Sequence, residues 1–209
     1  KQVNQNIPMA IAFNPSGTKM FVVGMSQNKI FEFDLTTGFD VSTATKNSNE
    51  CSFIGLGDDV VDINLNSDGT KLFLVDQGQD GAPETIEEFD LSTAYDVSSC
   101  THVEEHFAGD FVGLVGIEFN TDGTKFFILD THNTTGERLD AYTLSTAYDI
   151  STCTYSSSLD LGTLENRALD FSNDGKMLFI FDQTGDYSVK QYSCLLYTSP
   201  SPRDRTRSR

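Results

Sequence analysis

Three oxygen-bearing side chains recur along the chain at one phase: Asn64, Glu118 and Asp170 stand 54 and 52 residues apart, and one step earlier the same phase falls on Ala12. Carboxylate and amide oxygens brought to one point are hard ligands of the kind that hold calcium. Placed between neighbouring structural units, the same groups satisfy one another by hydrogen bonds, and that pairing is the favoured reading. A second series, Asp76, Asp130 and Asp182, keeps the same spacing, with Gly24 at its first position. It could form a cation-attracting rim, but an Asp at the end of a strand also accepts hydrogen bonds from the loop that follows, and the turn role is expected.

Other chemistries find little support. There is no nucleophile elbow, phosphate-binding glycine loop or His-carboxylate constellation, so a Ser-His-Asp hydrolase is not indicated. Asn66-Ser-Asp-Gly69 and Asn120-Thr-Asp-Gly123 start like calcium loops but lack the spaced acidic ligands and closing Glu, and they read as hairpins. Four cysteines (Cys51, Cys100, Cys153, Cys194) and three histidines (His102, His106, His132) without a Cys-x-x-Cys pair give no zinc site. Cys100 and Cys153 share a repeat position with Ala44, so both read as small buried side chains rather than disulfide partners. Asn133-Thr-Thr135 is a glycosylation sequon, relevant only if the source glycosylates secreted proteins.

The elements that position these residues follow from an internal repeat. Asn14-Pro-Ser-Gly-Thr-Lys-Met-Phe-Val-Val23 returns as Asn66-Ser-Asp-Gly-Thr-Lys-Leu-Phe-Leu-Val75, Asn120-Thr-Asp-Gly-Thr-Lys-Phe-Phe-Ile-Leu129 and Ser172-Asn-Asp-Gly-Lys-Met-Leu-Phe-Ile-Phe181. A second motif runs in phase with it: Leu35-Thr-Thr-Gly-Phe-Asp-Val-Ser-Thr-Ala-Thr45, Leu91-Ser-Thr-Ala-Tyr-Asp-Val-Ser-Ser-Cys-Thr101 and Leu144-Ser-Thr-Ala-Tyr-Asp-Ile-Ser-Thr-Cys-Thr154. Within each period apolar residues alternate or run for a few positions between Gly, Asn, Asp and Ser, which is strand patterning without a helical stripe.

Four strands fit each period. In the first they are expected at Ala10 to Phe13, Lys19 to Val23, Lys29 to Leu35 and Ala44 to about Ile54. The second is apolar at nearly every position, so it must be buried on both faces. A unit of about 50 residues with four antiparallel strands that cannot bury its own faces is a propeller blade. The chain is therefore expected to be an all-β propeller fragment: three complete blades and an incomplete fourth, an open arc with repeats at about 8–57, 58–113, 114–162 and 163–193. A parallel β-helix, whose coils are shorter and need no repeated Asp-Gly hairpin, ranks behind.

At these motifs residues 1 to 193 resemble the TolB-like, lactonase-like and gluconolactonase-like propellers, whose blades carry a similar F-S/N-x-D-G-T/K-K-hydrophobic run. The resemblance implies the fold. Toward function it implies one carry-over: gluconolactonase-like propellers hold calcium with Glu, Asn and Asp from different blades, and Asn64, Glu118 and Asp170 match those types.

After Ser193 the repeat breaks off. Residues 194–209 carry four of the 14 basic residues and one of the 31 acidic, leaving 10 basic and 30 acidic, a net −20, in the rest. Cys194-Leu-Leu-Tyr-Thr-Ser-Pro-Ser-Pro-Arg-Asp204 resembles the translation of a transposase end sequence running into a library primer. The tail is expected to be disordered and adaptor-derived.

The formal charge of −17 disfavours a phosphate-backbone partner, because nucleic-acid binding rests on Lys and Arg contacts. The longest apolar runs are far shorter than the ~20 residues of a membrane span. No signal peptide is visible ahead of the first repeat. The expected function is a non-catalytic recognition scaffold, extracellular or on the cell surface, with a protein or carbohydrate ligand and no cofactor, since enzymes break repeat symmetry more than these blades do. The alternative is a calcium-dependent lactonase or esterase.

Overall fold

A computed structural model describes residues 7–24, 27–56, 59–78, 83–106, 113–130, 136–162, 166–172, 174–183 and 187–193. The Asn133 sequon and the tail after Ser193 lie outside the described residues.

The first sheet holds β1 (Pro8–Phe13), β2 (Lys19–Gly24), β3 (Lys29–Leu35) and β4 (Ala44–Ser52); the second holds β5 (Val60–Leu65), β6 (Lys71–Asp76), β7 (Thr85–Leu91) and β8 (Cys100–His106). The third contains β9 (Leu114–Phe119), β10 (Lys125–Asp130), β11 (Glu137–Leu144) and β12 (Cys153–Gly162), and the fourth β13 (Asn166–Phe171), β14 (Met177–Asp182) and β15 (Ser188–Ser193). Each sheet is an antiparallel meander, and the four stand in a propeller arrangement, three with four strands and one with three among the described residues. The first strand of each blade is innermost: β1 packs on β5, β5 on β9 and β9 on β13.

The two sequence motifs build one device in each of blades one to three. Gly17, Gly69, Gly123 and Gly175 close the first hairpin at φ +66 to +74, where a Cβ would be strained. The second motif, in the loop between the third and fourth strands, folds back onto that glycine. The backbone N–H of Phe39, Tyr95 and Tyr148 donates to the carbonyl of Gly17, Gly69 and Gly123 at 3.0, 2.9 and 2.9 Å. Each aromatic residue is itself left-handed, at φ +61, +58 and +58. The next residue, Asp40, Asp96 or Asp149, caps a short 3-10 turn by accepting from the backbone two residues on. Each ring lies against the face of the glycine, where a Cβ would collide with it at 2.2 to 2.4 Å; the rings of Tyr95 and Tyr148 are partly buried, whereas Phe39 is 61% exposed.

The expectation for the second strand holds: in β2, β6 and β10 every residue after the leading lysine is buried. Their side chains alternate between interfaces. Phe21 and Val23 pack with Ile63, Leu72 and Leu74 of blade two, whereas Phe73 and Val75 pack with Ile117, Phe126 and Ile128 of blade three. Phe127 and Leu129 face Leu178 and Ile180 of blade four. Each fully buried Phe or Leu contributes about 1.5–3 kcal/mol by removal from water, so the core sits between sheets rather than within one.

Two features were not read from the sequence. Cys51, in the outermost strand of blade one, is joined to Cys100 of blade two by a disulfide with Cα atoms 6.0 Å apart. This corrects the expectation of a merely small buried side chain at Cys100. The expectation relied on repeat equivalence, and Cys51 has no counterpart among the repeats that would mark it as a partner. The innermost strands also share an irregularity, a register shift between Pro8 and Ala10, Val60 and Asp62, Leu114 and Gly116, and Asn166 and Ala168. Such bulges bend a strand and re-aim the side chains beyond it. Among the described residues no helix is long and apolar enough to cross a membrane.

Candidate functional site

Directly after the bulges, the innermost strands carry the residues singled out by spacing. Ala12, Asn64, Glu118 and Asp170 hold the same register, opposite Phe21, Phe73, Phe127 and Phe179. Asn64 and Glu118 meet across the interface of blades two and three, the Asn64 amide donating to Glu118 Oε2 at 2.8 Å and lying 3.4 Å from the carbonyl of Ile117. Asp170 is exposed and is one of the charges that act on Glu118.

Burial, reinforced by the negative charges of Asp170 and Asp62, pushes the Glu118 carboxyl up to about 8, against the smaller opposing effect of the Asn64 hydrogen bond. At neutral pH Glu118 is therefore mostly protonated and uncharged. Asp62, which the spacing argument missed, is pushed up to about 6 by burial even though it accepts the N–H groups of Ile117 and Ile63 at 3.0 and 2.9 Å. Its approach to blade three requires a glycine: a Cβ on Gly116 would lie 3.0 Å from Asp62 Oδ2 and 2.8 Å from a methyl of Leu169.

Glu118 and Asp170 also line a cleft of about 540 Å³ between the first hairpins of blades three and four. Phe127 and Phe171, with ring centroids 4.8 Å apart, are part of its wall. The cleft thus pairs an apolar wall with four carboxyl groups, those of Glu118, Asp122, Asp170 and Asp174, of which Glu118 is predominantly neutral. Binding a cation there would require Glu118 to lose its proton. Among the described residues no three His, Cys, Asp or Glu side chains form a group able to hold a metal ion.

The rim series, Asp76, Asp130 and Asp182, closes the second strands of blades two, three and four. All three aspartates are buried, at 3%, 0% and 1% exposure, so they are partners of nearby groups rather than an open surface. Asp76 Oδ1 accepts from the backbone of Gly78 in the following loop at 3.0 Å and of Asp59 at 3.1 Å, the expected turn role. Asp130 receives Arg138 Nη2 at 3.1 Å, and Asp182 faces Lys190 Nζ at 3.6 Å, so in blades three and four a cation from the third strand adjoins the aspartate; residues 131–135 and 184–186 of the following loops lie outside the described residues.

Sequence reasoning missed a more consequential pair, Glu32 and Glu88. Each sits fully buried in the third strand, is bridged by the lysine that opens the second strand (Lys19 or Lys71), and reaches the next blade. Glu32 Oε2 accepts the N–H of Val97 at 3.1 Å, and Glu88 Oε2 that of Ile150 at 3.0 Å. Val97 and Ile150 open the 3-10 turns Val97–Ser99 and Ile150–Thr152 and are themselves buried in the blade interfaces. A signal existed: a Glu inside Ile30-Phe31-Glu32-Phe33 and again inside Ile86-Glu87-Glu88-Phe89, three residues before the repeated leucine. Blade three has Ala141 at this position.

No protein-family model and no curated protein sequence matches the chain. Solved structures do. A Bacteroides uniformis protein provisionally described as a 6-phosphogluconolactonase superposes with a TM-score of 0.62 at 13% identity, over 89% of this chain and 50% of its own. Hydrazine synthase of Kuenenia stuttgartiensis gives 0.61 at 17% identity, over 92% of this chain and 47% of its own. A nidogen–laminin complex gives 0.58 at 16% identity, over 89% of this chain and 60% of the matched chain. The chain spans about half the length of these proteins, and what it shares with all three is the propeller fold.

Proposed function

We propose that the chain is part of a non-catalytic recognition propeller that acts outside the cell or at its surface and binds a protein or carbohydrate. The observation that carries this reading is how the polar residues of the blades are used. Asn64 is held by Glu118, Glu32 by Val97 and Glu88 by Ile150, each pair joining neighbouring blades. Groups employed in holding blades together at repeat-equivalent positions are scaffold chemistry, and ligand contacts then fall to the loops. The Cys51–Cys100 disulfide supports an oxidising compartment, and the net charge of −17 argues against nucleic acid.

The blade count belongs to the same proposal: three complete blades and an unfinished fourth form an open arc of a larger propeller, since closed propellers have four to eight blades. Residues 194–209 are the translation of adaptor sequence. Amplifying the locus from source material tests this, with a fourth strand and further blades expected after Ser193; codons for Cys194 to Arg209 in genomic DNA would overturn it. The recognition reading is tested by screening immobilised chain against glycan arrays and extracellular protein panels. Saturable binding that survives chelation of calcium supports it, and lactone or ester hydrolysis by the chain would replace it.

The second reading, a calcium-dependent lactonase or esterase, is favoured by one observation: Glu118 and Asp170 both line the cleft of about 540 Å³. On that reading Asn64, Glu118 and Asp170 would be ligands of the ion, which would supply Lewis-acid polarisation of a lactone carbonyl.

A further inference from the structure

One set of positions differs from blade to blade where the rest of the blade repeats. The strand registers align Gly24, Lys29, Phe31 and Lys46 of blade one with Asp76, Thr85, Glu87 and His102 of blade two, and with Asp130, Arg138, Asp140 and Tyr155 of blade three. In blades two and three this face turns toward the preceding blade, since Leu74 and Phe89 pack into the first interface and Ile128 and Tyr142 into the second. Blade one closes the set upon itself: the Lys46 ammonium lies 3.8 Å from the centroid of the Phe31 ring, and Lys29 and Lys46 each pair with Glu50 at 2.8 Å. Blade two closes it by hydrogen bonds. Glu87 meets Thr85 Oγ1 at 2.8 Å and His102 Nε2 at 2.7 Å, while Asp76 Oδ1 accepts two backbone N–H groups.

Blade three does not close. Arg138 Nη2 is shared between Asp130 Oδ2 at 3.1 Å and Asp140 Oδ2 at 3.7 Å. Asp130 Oδ1, Asp140 Oδ1 and Arg138 Nε are buried, and among the described residues these are the buried side-chain atoms that meet no hydrogen-bond partner. Buried polar atoms in that state are rare in native proteins and call for a partner. The aspartate side chains are 0% and 5% exposed against 36% for Arg138, so the guanidinium is the group that moves to admit one. Beside them stands Tyr155, 55% exposed. Its ring is held edge-on to Tyr142 with centroids 5.7 Å apart, and Tyr142 stacks on Phe126 at 4.9 Å. Tyr155 also lies near enough to Arg138 to act on its charge. Blades two and three each have all four strands among the described residues.

We propose that Asp130, Arg138, Asp140 and Tyr155 form a subsite for a neutral carbohydrate, with the C–H face of a pyranose on the Tyr155 ring and adjacent hydroxyls donating to the two aspartates. The unmet atoms select this chemistry. Carboxylates only accept and a guanidinium only donates, so the ligand must both donate and accept at neighbouring atoms. A simple cation satisfies the two oxygens but not Arg138 Nε, and an anion does the reverse. A peptide offers its amide donors singly, on alternating sides of an extended chain. A pyranose sets its hydroxyls side by side, which matches two carboxylates drawn to one guanidinium nitrogen, and it adds an apolar face for the exposed ring. The inference rests on the reading of the chain as a recognition module, and it places the contact on strands at positions where the blades diverge.

The full chain is screened on a printed array of neutral glycans, and the methyl pyranosides of glucose, galactose and mannose are titrated into it by calorimetry, with Tyr155→Ala and Asp140→Asn beside the parent. Saturable binding of at least one of these sugars is expected, with a Kd on the order of 1 mM for a single pyranoside, weakened at least about tenfold by either substitution. Tyr155 is exposed, so its replacement should leave the far-ultraviolet spectrum unchanged, and that variant decides the matter alone if Asp140→Asn fails to fold. Sugar binding that Tyr155→Ala leaves within about twofold of the parent would keep the recognition reading and overturn this subsite. Binding of a protein or peptide with no sugar binding would do the same. Binding of calcium alone, or of no ligand at all, would overturn the subsite and the recognition reading together.

Discussion

Replacing Glu88 with alanine removes its ion pair with Lys71 within the blade and its acceptor for the Ile150 N–H of the next. Glu88 is 1% exposed, so its carboxylate is held by protein alone. Burial lowers the pKa of Lys71, but its hydrogen bonds to Glu88 and Asp90 outweigh that and leave it raised, which marks a real charge pair. Without Glu88, Lys71 keeps Asp90 at 2.9 Å, so part of the electrostatic loss is recovered at the exposed side. The N–H of Ile150, fully buried at the blade interface, has no such substitute, and an orphaned buried donor costs about 1–3 kcal/mol. Adding the cavity and the weakened ion pair, Glu88→Ala should destabilise by about 3 kcal/mol. Glu88→Gln keeps an acceptor for Ile150 and should cost less, about 1–2 kcal/mol. Urea unfolding at neutral pH measures both, with the order alanine worse than glutamine as the signature. A Glu88→Ala stability within about 0.5 kcal/mol of the parent would show that the interblade bond contributes nothing and refute the reasoning.

Glu118 makes stability fall as pH rises. Its folded pKa of about 8 lies above the ordinary carboxyl value of 4.5, so between those values the folded state binds more protons than the unfolded one, and stability is lost at up to ~1.4 kcal/mol per pH unit. Glu118→Gln should therefore gain stability relative to the parent from pH 5 to pH 8, by a few kcal/mol; a constant difference across that window would refute the assignment. Replacing Cys51 and Cys100 with serine opens a loop closed over 49 residues and should cost about 4 kcal/mol on the chain-entropy account, read from unfolding midpoints with and without reductant. Tyr95→Ala should cost about 3 kcal/mol by removing the ring over Gly69, and Tyr95→Gly about 1 kcal/mol less than alanine, because glycine relieves the left-handed backbone; the reverse order would contradict the strain argument. The chain should self-associate through its terminal blade edges, and a closed monomer in solution scattering would overturn the open arc.

The repeat made the blades legible because it is local. Asn-x-Asp-Gly fixes a hairpin through short-range hydrogen bonds, and the uniform apolarity of β2, β6 and β10 reports a strand covered on both faces. Strand boundaries followed to within a few residues: the first strand of blade one begins at Pro8 rather than Ala10, and the fourth ends at Ser52 rather than near Ile54. Equivalence between repeats also brought Asn64 and Glu118 to one interface. It failed where one blade departs from the rest. Cys51 has no repeat partner, so its bond to Cys100 was invisible to a comparison of equivalent positions. Glu32 and Glu88 were missed, because alternation along a strand cannot show that a neighbouring blade covers it. Asp62 follows a bulge, and a bulge shifts the face of every later residue without leaving a mark in hydrophobic patterning.

The recognition-scaffold reading and the calcium-enzyme reading part most directly at Glu118. Isothermal titration of calcium into the full chain at pH 7, repeated on the product of the complete gene, measures whether Asn64, Glu118 and Asp170 hold one another and the blades or hold an ion. With Glu118 mostly protonated and accepting from Asn64, the account predicts no saturable heat at micromolar calcium and no change on Glu118→Gln. A micromolar isotherm that releases protons on binding and is abolished by Glu118→Gln would contradict it.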